Sequence, residues 1–159
     1  MINVALIGAG RIGQVHSANI VAHPESRLVA IVDAFPEAAL SLSEKTGAPV
    51  KTLEEVMADQ SIDAVVIGSA TDTHADFIEL AARSGKAIFC EKPVDLSLER
   101  VQACLKVVEE CRVPLLVGFN RRFDPNFAAV RNRYQQGQIG KAESVLIVSR
   151  DPSPPPVSY

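Results

Sequence analysis

The sequence predicts an α/β fold built on a doubly wound parallel sheet, because two kinds of apolar stretch alternate along it. Short runs that are apolar throughout, such as the run from Val65 to Ile67, are typical of strands that helices cover on both faces. Longer stretches repeat apolar residues at steps of three and four, as at Leu98, Val101 and Leu105, which indicates amphipathic helices. Strands that alternate with helices pair in parallel.

The elements follow one another in a regular order. Strands are predicted over residues 3–7, 27–32, 64–67, 87–90 and 115–118. Helices are predicted over residues 11–22, 36–46, 73–84 and 97–112, with a shorter unit around residues 50–58. Thr73 and Ser97 are the expected N-caps of the last two long helices, because short hydroxyl side chains accept hydrogen bonds from the free N–H groups at a helix start.

The pattern changes after Gly118. Residues 119–124 are predicted to form a loop, residues 125–136 a helix and residues 143–149 one apolar strand, ahead of a tail whose prolines cannot join a sheet interior. Such a strand, with no later strand to pair with, docks on the first domain, pairs with another chain, or belongs to a sheet whose remainder is absent. We therefore predict a first domain over residues 1–120 and, over residues 121–159, the beginning of a truncated second α+β domain.

Composition and charge narrow the classes of partner. A chain of 159 residues fits one domain of ordinary size. Its net charge of −3 and its scattered basic residues, apart from Arg121-Arg122, argue against nucleic acid. No apolar run approaches the roughly 18 residues that span a bilayer, and no leader-like segment precedes the first strand, so we predict a cytoplasmic protein without a membrane partner.

The cysteines and histidines show no metal-binding pattern. Cys90, Cys104 and Cys111 lack CxxC spacing and lie in apolar stretches, which is typical of buried free thiols. The three histidines have no ligand-like spacing to any cysteine, so no metal site is predicted.

A glycine-rich segment, Gly8-x-Gly10-x-x-Gly13, follows the first strand and opens the first helix. Gly8 permits a tight turn, Gly10 lets the backbone approach a pyrophosphate, and Gly13 lets helix and strand pack closely. Asp33 ends the second strand at the spacing of about 20 residues that is typical of ribose recognition. This context predicts a Rossmann-type sheet that binds a dinucleotide, and the carboxylate favours NAD because it would repel a 2′-phosphate.

Arg11 and Ile12 stand within this segment, at the start of the helix whose free N–H groups face the anion. The Arg11 side chain either reaches the cofactor phosphates or points into water. Both residues are therefore predicted to belong to the cofactor site.

A second polar segment, which includes Ala70, Thr71 and His74, follows the strand over residues 64–67. It lies on the carboxyl edge, where open parallel sheets bind ligands. His74 either lies near the nicotinamide or completes the start of the next helix, and its position favours the first.

Lys92 follows the next strand at the same edge, between Glu91 and Pro93. The peptide before Pro93 could be cis and would then fix the direction of the lysine. A lysine at a crowded, partly dry site can polarise a hydroxyl or take part in a proton relay. The alternative is a surface lysine paired with Glu91.

Together these motifs resemble the glucose-fructose oxidoreductase and inositol dehydrogenase family. The resemblance rests on the glycine segment, the Thr-x-x-His segment that ends at His74, Cys-Glu-Lys-Pro around Lys92, and the run from Gly118 to Asp124. Arg-Asp-Pro around Asp151 resembles the bacterial inositol 2-dehydrogenases of that family. The match extends over essentially the whole chain but over only about half of such a protein.

The resemblance implies an NAD-dependent oxidation of a ring hydroxyl of myo-inositol, or of a related polyol or sugar, to a ketone by hydride transfer. Lys92 would bind the reacting hydroxyl as the catalytic residue, close to the cofactor. Arg121 and Asp151 would contact the substrate, and Glu91 would lie near the nicotinamide ribose.

The chain departs from the family in one respect. Relatives carry an Asp-x-x-x-His pair on a helix of a second domain, and no residue after Asp151 can serve in its place. This chain alone is therefore expected to be the inactive, cofactor-binding half of an enzyme that is a homo-oligomer when the second domain is present. The alternative is a non-catalytic NAD(H)-binding module or sensor, for which the glycine segment and Asp33 would suffice.

Overall fold

The structure is a computed structural model that describes residues 1–150. It divides into two units, of which the first comprises Met1–Phe119 and the second begins at Asn120. The first unit contains the β-sheet. Within residues 1–150, no helix combines the length and the apolar character needed to cross a membrane.

The first unit is a parallel sheet with helices between its strands. The strands are β1 (Ile2–Ile7), β2 (Ser26–Val32), β3 (Ala64–Ile67), β4 (Ala87–Cys90) and β5 (Leu115–Val117). The helices are α1 (Arg11–Ala22), α2 (Pro36–Thr46), α3 (Leu53–Ala58), α4 (His74–Arg83) and α5 (Leu98–Cys111). The five strands are all parallel, in the order β2-β1-β3-β4-β5. The predicted Rossmann-type α/β fold is confirmed.

Alternate side chains of the central strands belong to two separate apolar clusters. Ala5 and Ile7 pack with residues of α3, α4 and α5, whereas Leu6 packs with residues of α2 and with Ile20 of α1. Because successive side chains of a strand point to opposite faces, these clusters lie on opposite faces of the sheet. Helices cover both faces, which is why the strands read as continuous apolar runs.

The strands end in register at one edge of the sheet. Their last residues are paired across it: Val32 with Ile7, Ile7 with Ile67, Ile67 with Cys90, and Cys90 with Val117. The loops that follow all five strands therefore leave the sheet side by side. This carboxyl edge brings the glycine segment, Asp33, the segment around His74 and the segment around Lys92 to one side of the first unit.

The predicted strand over residues 143–149 is wrong. These residues adopt no regular structure, and the side chains from Val145 to Val148 are between 68% and 88% exposed. A strand needs a neighbour for its backbone hydrogen bonds, and none of the five strands within residues 1–150 pairs with this segment. Apolar character predicted a strand here, but it cannot supply the partner that a strand requires.

The prediction for Thr73 is half right: Thr73 occupies the N-cap position of α4, but its side chain accepts no hydrogen bond from the start of the helix. Thr73 ends a short 3₁₀ turn. Its hydroxyl group donates to the Ala70 carbonyl oxygen at 2.7 Å, and its Oγ1 lies 2.7 Å from Ser69 Oγ. The hydroxyl is engaged within its own loop instead of at the helix start. Ser97 does cap α5 as predicted, since its Oγ accepts from the Arg100 N–H at 3.2 Å.

The second unit begins with a 3₁₀ turn, Asn120–Phe123, and continues as helix α6, Pro125–Gln135. Asp124 caps α6, because its Oδ1 accepts from the N–H groups of Asn126 and Phe127 at 2.8 and 3.2 Å. Proline at the first helical position lacks the N–H that would be unpaired there. The helix agrees with the one predicted over residues 125–136.

The cysteines are free thiols, as predicted. Cys90 and Cys104 are fully buried in the apolar cluster that contains α4 and α5. Burial raises the pKa of Cys90 to about 12 and that of Cys104 to about 11. Both thiols therefore stay protonated near neutral pH and are poor nucleophiles.

Lys86, immediately before β4, is a buried cation. Lys86 is 2% exposed, and its Nζ donates to the carbonyl oxygens of Asp59 and Ile62 at 2.7 and 3.1 Å. Burial lowers the pKa of Lys86, while the charges of Asp59 and Asp63 act in the opposite direction. The ammonium group thus fastens the turn between α3 and β3 to the amino edge of the sheet.

Replacing Lys86 by methionine is expected to lower the free energy of unfolding by about 2 kcal/mol near neutral pH, because two carbonyl groups lose a charged donor. Between the lowered native pKa and the unfolded value of about 10.4, the unfolded wild type binds more protons than the native protein. Wild-type stability should therefore rise with pH relative to the variant across that interval. Urea unfolding at several pH values measures both effects.

The matched control is Lys45→Met on the surface of α2, which should stay within about 0.5 kcal/mol of wild type. A Lys86→Met protein as stable as this control would show that the buried ammonium does not fasten the turn.

Candidate cofactor and substrate site

The glycine segment is built from close backbone contacts. Gly8 has a φ of 104°, and a Cβ at this position would lie 2.5 Å from the carbonyl oxygen of Gly68. A Cβ on Gly13 would lie 2.0 Å from the carbonyl oxygen of Gly8. Both positions therefore require glycine whether or not a ligand is bound. The start of α1 packs directly against the end of β1.

Gly10 differs from Gly8 and Gly13, because a Cβ built on Gly10 would meet no atom within 4 Å. The Gln14 N–H donates to the Gly10 carbonyl oxygen at 3.0 Å. The N–H groups of Arg11, Ile12 and Gly13 precede it and have no carbonyl partner within the helix. Three free donors beside open space fit a pyrophosphate, whose approach a side chain at position 10 would hinder.

Asp33 follows β2 and is held by two backbone donors. Its Oδ2 accepts from the Ala9 N–H at 2.6 Å, and its Oδ1 accepts from the Phe35 N–H at 2.8 Å. Each oxygen keeps a second lone pair, so the carboxylate can still accept hydrogen bonds from a ribose diol. The contact with Ala9 also joins Asp33 to the glycine segment.

A cavity of about 300 Å³ separates Asp33 from the loop that follows β3. Its lining combines two aromatic rings, two hydroxyl side chains, the carboxylate and bare backbone at the glycines. The lining residues are Ile7, Gly8, Gly10, Val32, Asp33, Ala34, Phe35, Gly68, Ser69, Ala70, Thr73 and Phe77. A mostly apolar cavity with one carboxylate at its wall fits the adenosine end of a dinucleotide.

His74 lies inside the protein, at the start of α4. His74 is 2% exposed. Its Nδ1 lies 2.7 Å from the carbonyl oxygen of Pro93, and its Nε2 lies 3.2 Å from the carbonyl oxygen of Ser69. A neutral imidazole can donate to only one of them, and the shorter contact is to Pro93. The expectation of a direct contact with the nicotinamide is revised accordingly: the ring joins the loops after β3 and β4, while Ala70 and Thr71 remain at the surface of the first loop.

The Glu91-Lys92 segment follows β4 at the same edge. The Lys92-Pro93 peptide is cis. Lys92 is exposed, and no residue among 1–150 accepts a hydrogen bond from its Nζ or pairs with it. The alternative pairing with Glu91 is therefore not formed.

Sequence reasoning missed His16 of α1. Its Nε2 lies 2.9 Å from Glu91 Oε1, and its ring packs edge-on against Phe89, with centroids 5.0 Å apart. The only signal in the sequence was its position on the helix that the glycine segment opens, one turn after Gly13. A contact with a residue 75 positions away cannot be read from that position alone.

Arg121 belongs to the second unit. Its guanidinium lies over the Phe127 ring at 5.3 Å from the centroid, and its Nη2 is 3.4 Å from Ser149 Oγ. Together with Arg122 and Arg131 it lines a cavity of about 340 Å³ within that unit. Asp151, the other residue predicted to contact substrate, lies outside the described residues.

The fold and the site define a dinucleotide-binding domain. The chain belongs to the oxidoreductase family with an NAD-binding Rossmann fold, GFO/IDH/MocA, whose model matches residues 2–119. The predicted family is confirmed, as is NAD as the cofactor of that family.

Known proteins of this family resemble the chain over nearly all of its length. Inositol 2-dehydrogenase of Rhizobium meliloti is 56% identical over 158 residues, which cover 99% of this chain and 48% of the relative. The crystal structure of a myo-inositol dehydrogenase from Corynebacterium glutamicum matches with a TM-score of 0.90 at 47% identity, over 98% of this chain and 47% of that one.

A third match is a structure with its ligands. Scyllo-inositol dehydrogenase from Lactobacillus casei, with bound NAD(H) and scyllo-inositol, matches with a TM-score of 0.82 at 28% identity, over 88% of this chain and 42% of that one. The chain therefore spans about half the length of the relatives that it matches.

Proposed function

We propose that the protein to which this chain belongs oxidises a ring hydroxyl of myo-inositol, or of a related polyol or sugar, to a ketone with NAD. The observation that carries the proposal is Lys92, which is exposed and has no ion-pair partner among residues 1–150, on the same edge as a built dinucleotide site. The similarity to an inositol 2-dehydrogenase at 56% identity supports the substrate class. Bound NAD supplies the hydride acceptor of such a reaction.

Lys92 holds the reacting hydroxyl in this proposal. Its ammonium group donates a hydrogen bond to the hydroxyl oxygen and stabilises the negative charge that develops there as the proton leaves. Its backbone follows the buried end of β4, so the sheet brings the start of this side chain to the carboxyl edge. Arg121 and Asp151 contact the remaining polyol oxygens.

The cofactor is held by the glycine segment and Asp33. The N–H groups of Arg11, Ile12 and Gly13 bind the pyrophosphate, and the Asp33 carboxylate accepts from the ribose hydroxyls. Ala70 and Thr71 contact the cofactor from the loop after β3. His74 acts through that loop, because its ring is buried between two backbone carbonyls.

The relatives are about twice as long as this chain, and the part that they have in addition would complete the active site. We propose that it contributes a proton-transfer pair of the Asp-x-x-x-His kind, the second wall of the substrate site and the contacts of a homo-oligomer. The 159 residues alone would then bind NADH and oxidise no polyol.

Cofactor choice offers a test at Asp33. Asp33→Ser is expected to weaken NADH binding about 10-fold, because the ribose loses a charged acceptor. NADPH binding should fall less or rise, since the repulsion of its 2′-phosphate is removed. Fluorescence titration with each cofactor measures the two affinities.

The matched control is Asp72→Ser, which removes an exposed carboxylate from the 3₁₀ turn at the same edge. It should change both affinities by the same factor. An equal effect of Asp33→Ser on NADH and NADPH would argue against ribose recognition by this carboxylate.

The reaction itself is tested with the full-length protein. Initial rates of NAD reduction are measured with myo-inositol, scyllo-inositol and glucose. Oxidation of an inositol supports the proposal, whereas tight NADH binding with no oxidation of any polyol would identify a cofactor-binding module or sensor instead.

A further inference from the structure

The His16 side chain joins the helix of the cofactor segment to the segment that carries Lys92. His16 lies in the second turn of α1, and its Nε2 is 2.9 Å from Glu91 Oε1. Both side chains are largely buried, at 17% and 18% exposed. A carboxylate can only accept a hydrogen bond, so the ring donates from Nε2.

The Glu91 carboxylate also lies close to Gly118, the residue that follows β5. A Cβ on Gly118 would lie 3.3 Å from both Cδ and Oε1 of Glu91 and 3.1 Å from Cζ of Phe89. Phe89 in turn supports the His16 ring edge-on. The Glu91 carboxylate that accepts from His16 therefore also lies close to the backbone that follows β5, beside the ring that supports His16.

The same carboxylate contacts the backbone of Lys92. Glu91 Oε2 accepts from the Lys92 N–H at 3.3 Å. A chain of contacts thus runs from the helix that starts at the pyrophosphate site, through His16 and Glu91, to the backbone of the lysine. No other side chain among residues 1–150 donates a hydrogen bond to the Glu91 carboxylate.

We propose that His16 is a positioning residue: by holding the Glu91 carboxylate against β5 it fixes the backbone of Lys92, and it couples that backbone to the helix that binds the cofactor phosphates. This inference rests on the proposed function, since it assigns to His16 a role in presenting Lys92 and Glu91 to substrate and cofactor. In this proposal His16 acts through these two residues and not through a contact of its own with substrate or cofactor.

Removal of the imidazole frees the carboxylate to turn toward water. His16→Ala is expected to lower kcat/KM for polyol oxidation about 10- to 100-fold, as is typical when a group that orients a reacting residue is lost. The loss should fall on kcat more than on the KM for polyol, because misplacement of Lys92 affects the reacting geometry.

His16→Gln is the conservative variant. A glutamine side chain on α1 can donate from its amide nitrogen to the same carboxylate oxygen, so it should recover most of the lost activity. The matched control is His23→Gln, at the opposite end of α1, which should retain the wild-type rate. His16→Leu keeps most of the side-chain volume against Phe89 but has no donor, so it should lose as much activity as His16→Ala. Recovery by leucine equal to that by glutamine would mean that packing alone accounts for the effect and would overturn the proposal.

A double-mutant cycle isolates the path of the effect. If His16 acts through Glu91, then His16→Ala in a Glu91→Ala background should lower kcat/KM no more than about 2-fold, because the side chain that it orients is already gone. Additive losses in the cycle would overturn the proposal.

Hydrogen exchange of the full-length protein gives a readout that does not depend on turnover. The Lys92 amide should exchange about 10-fold faster in His16→Ala than in wild type or His16→Gln, because its acceptor is no longer held in place. Unchanged exchange together with unchanged kcat would refute the role of His16. If the wild type oxidises no polyol, the proposed function fails, and the exchange rates still decide whether His16 holds this segment.

Discussion

Replacing Lys92 by alanine is expected to lower kcat/KM for polyol oxidation about 1,000-fold in the full-length protein. A positioned group that assists proton transfer contributes about 100- to 10,000-fold, and Lys92 is the exposed cation that follows β4 at the cofactor edge. The thermal stability should hardly change, because its Nζ has no partner among residues 1–150. Steady-state rates with myo-inositol and thermal unfolding measure the two effects.

The matched control is Lys106→Ala, which removes another exposed lysine from the first unit, on the surface of α5. It should oxidise polyols at the wild-type rate. If Lys92→Ala behaved in the same way, the reacting hydroxyl would have to bind elsewhere, and the proposed role of the lysine would be abandoned.

Alanine at two glycines only three residues apart is expected to have opposite consequences. Gly13→Ala places a Cβ 2.0 Å from the Gly8 carbonyl oxygen, so α1 must move away from β1 and the protein should be severely destabilised or fail to fold. Gly10→Ala meets no protein atom within 4 Å, so the fold should be retained. Its NADH affinity should nevertheless fall at least about 10-fold, because the methyl group occupies the approach of the pyrophosphate.

Thermal unfolding and NADH titration of both variants, alongside wild type, separate the two effects. Full NADH affinity in Gly10→Ala would mean that the pyrophosphate does not lie against this residue. A stable Gly13→Ala protein would show that the contact between helix and strand can relax.

The sheet and its helices could be predicted because their signals are local. The apolar runs that end at Ile67 and Cys90 report burial from a few neighbouring residues. The apolar stripe of α5 predicted the helix, although Leu98 and Leu105 are 65% and 44% exposed and the buried residues of that helix are Cys104 and Val108. The glycine segment with Asp33 located the cofactor edge for the same reason. The identities of the five strands and their parallel arrangement followed from the order of the elements.

The expectations that changed depended on distant partners. The apolar segment from Val145 to Val148 looked like a strand, but no strand within residues 1–150 pairs with it. His74 looked like a ligand contact, but its ring is buried between the carbonyl oxygens of Pro93 and Ser69, in loops that follow two different strands. His16 was missed because its partner, Glu91, is 75 residues away, and such contacts are decided by the register of the sheet.

The most direct test is a crystal structure of the full-length protein grown with NADH. We expect the pyrophosphate to lie on the N–H groups at the start of α1, the adenosine ribose to lie against Asp33, and the nicotinamide to be close enough to Lys92 for a bound hydroxyl to lie about 3–3.5 Å from its reacting carbon. A cofactor bound away from the carboxyl edge, or with its nicotinamide turned away from Lys92, would contradict the proposed site.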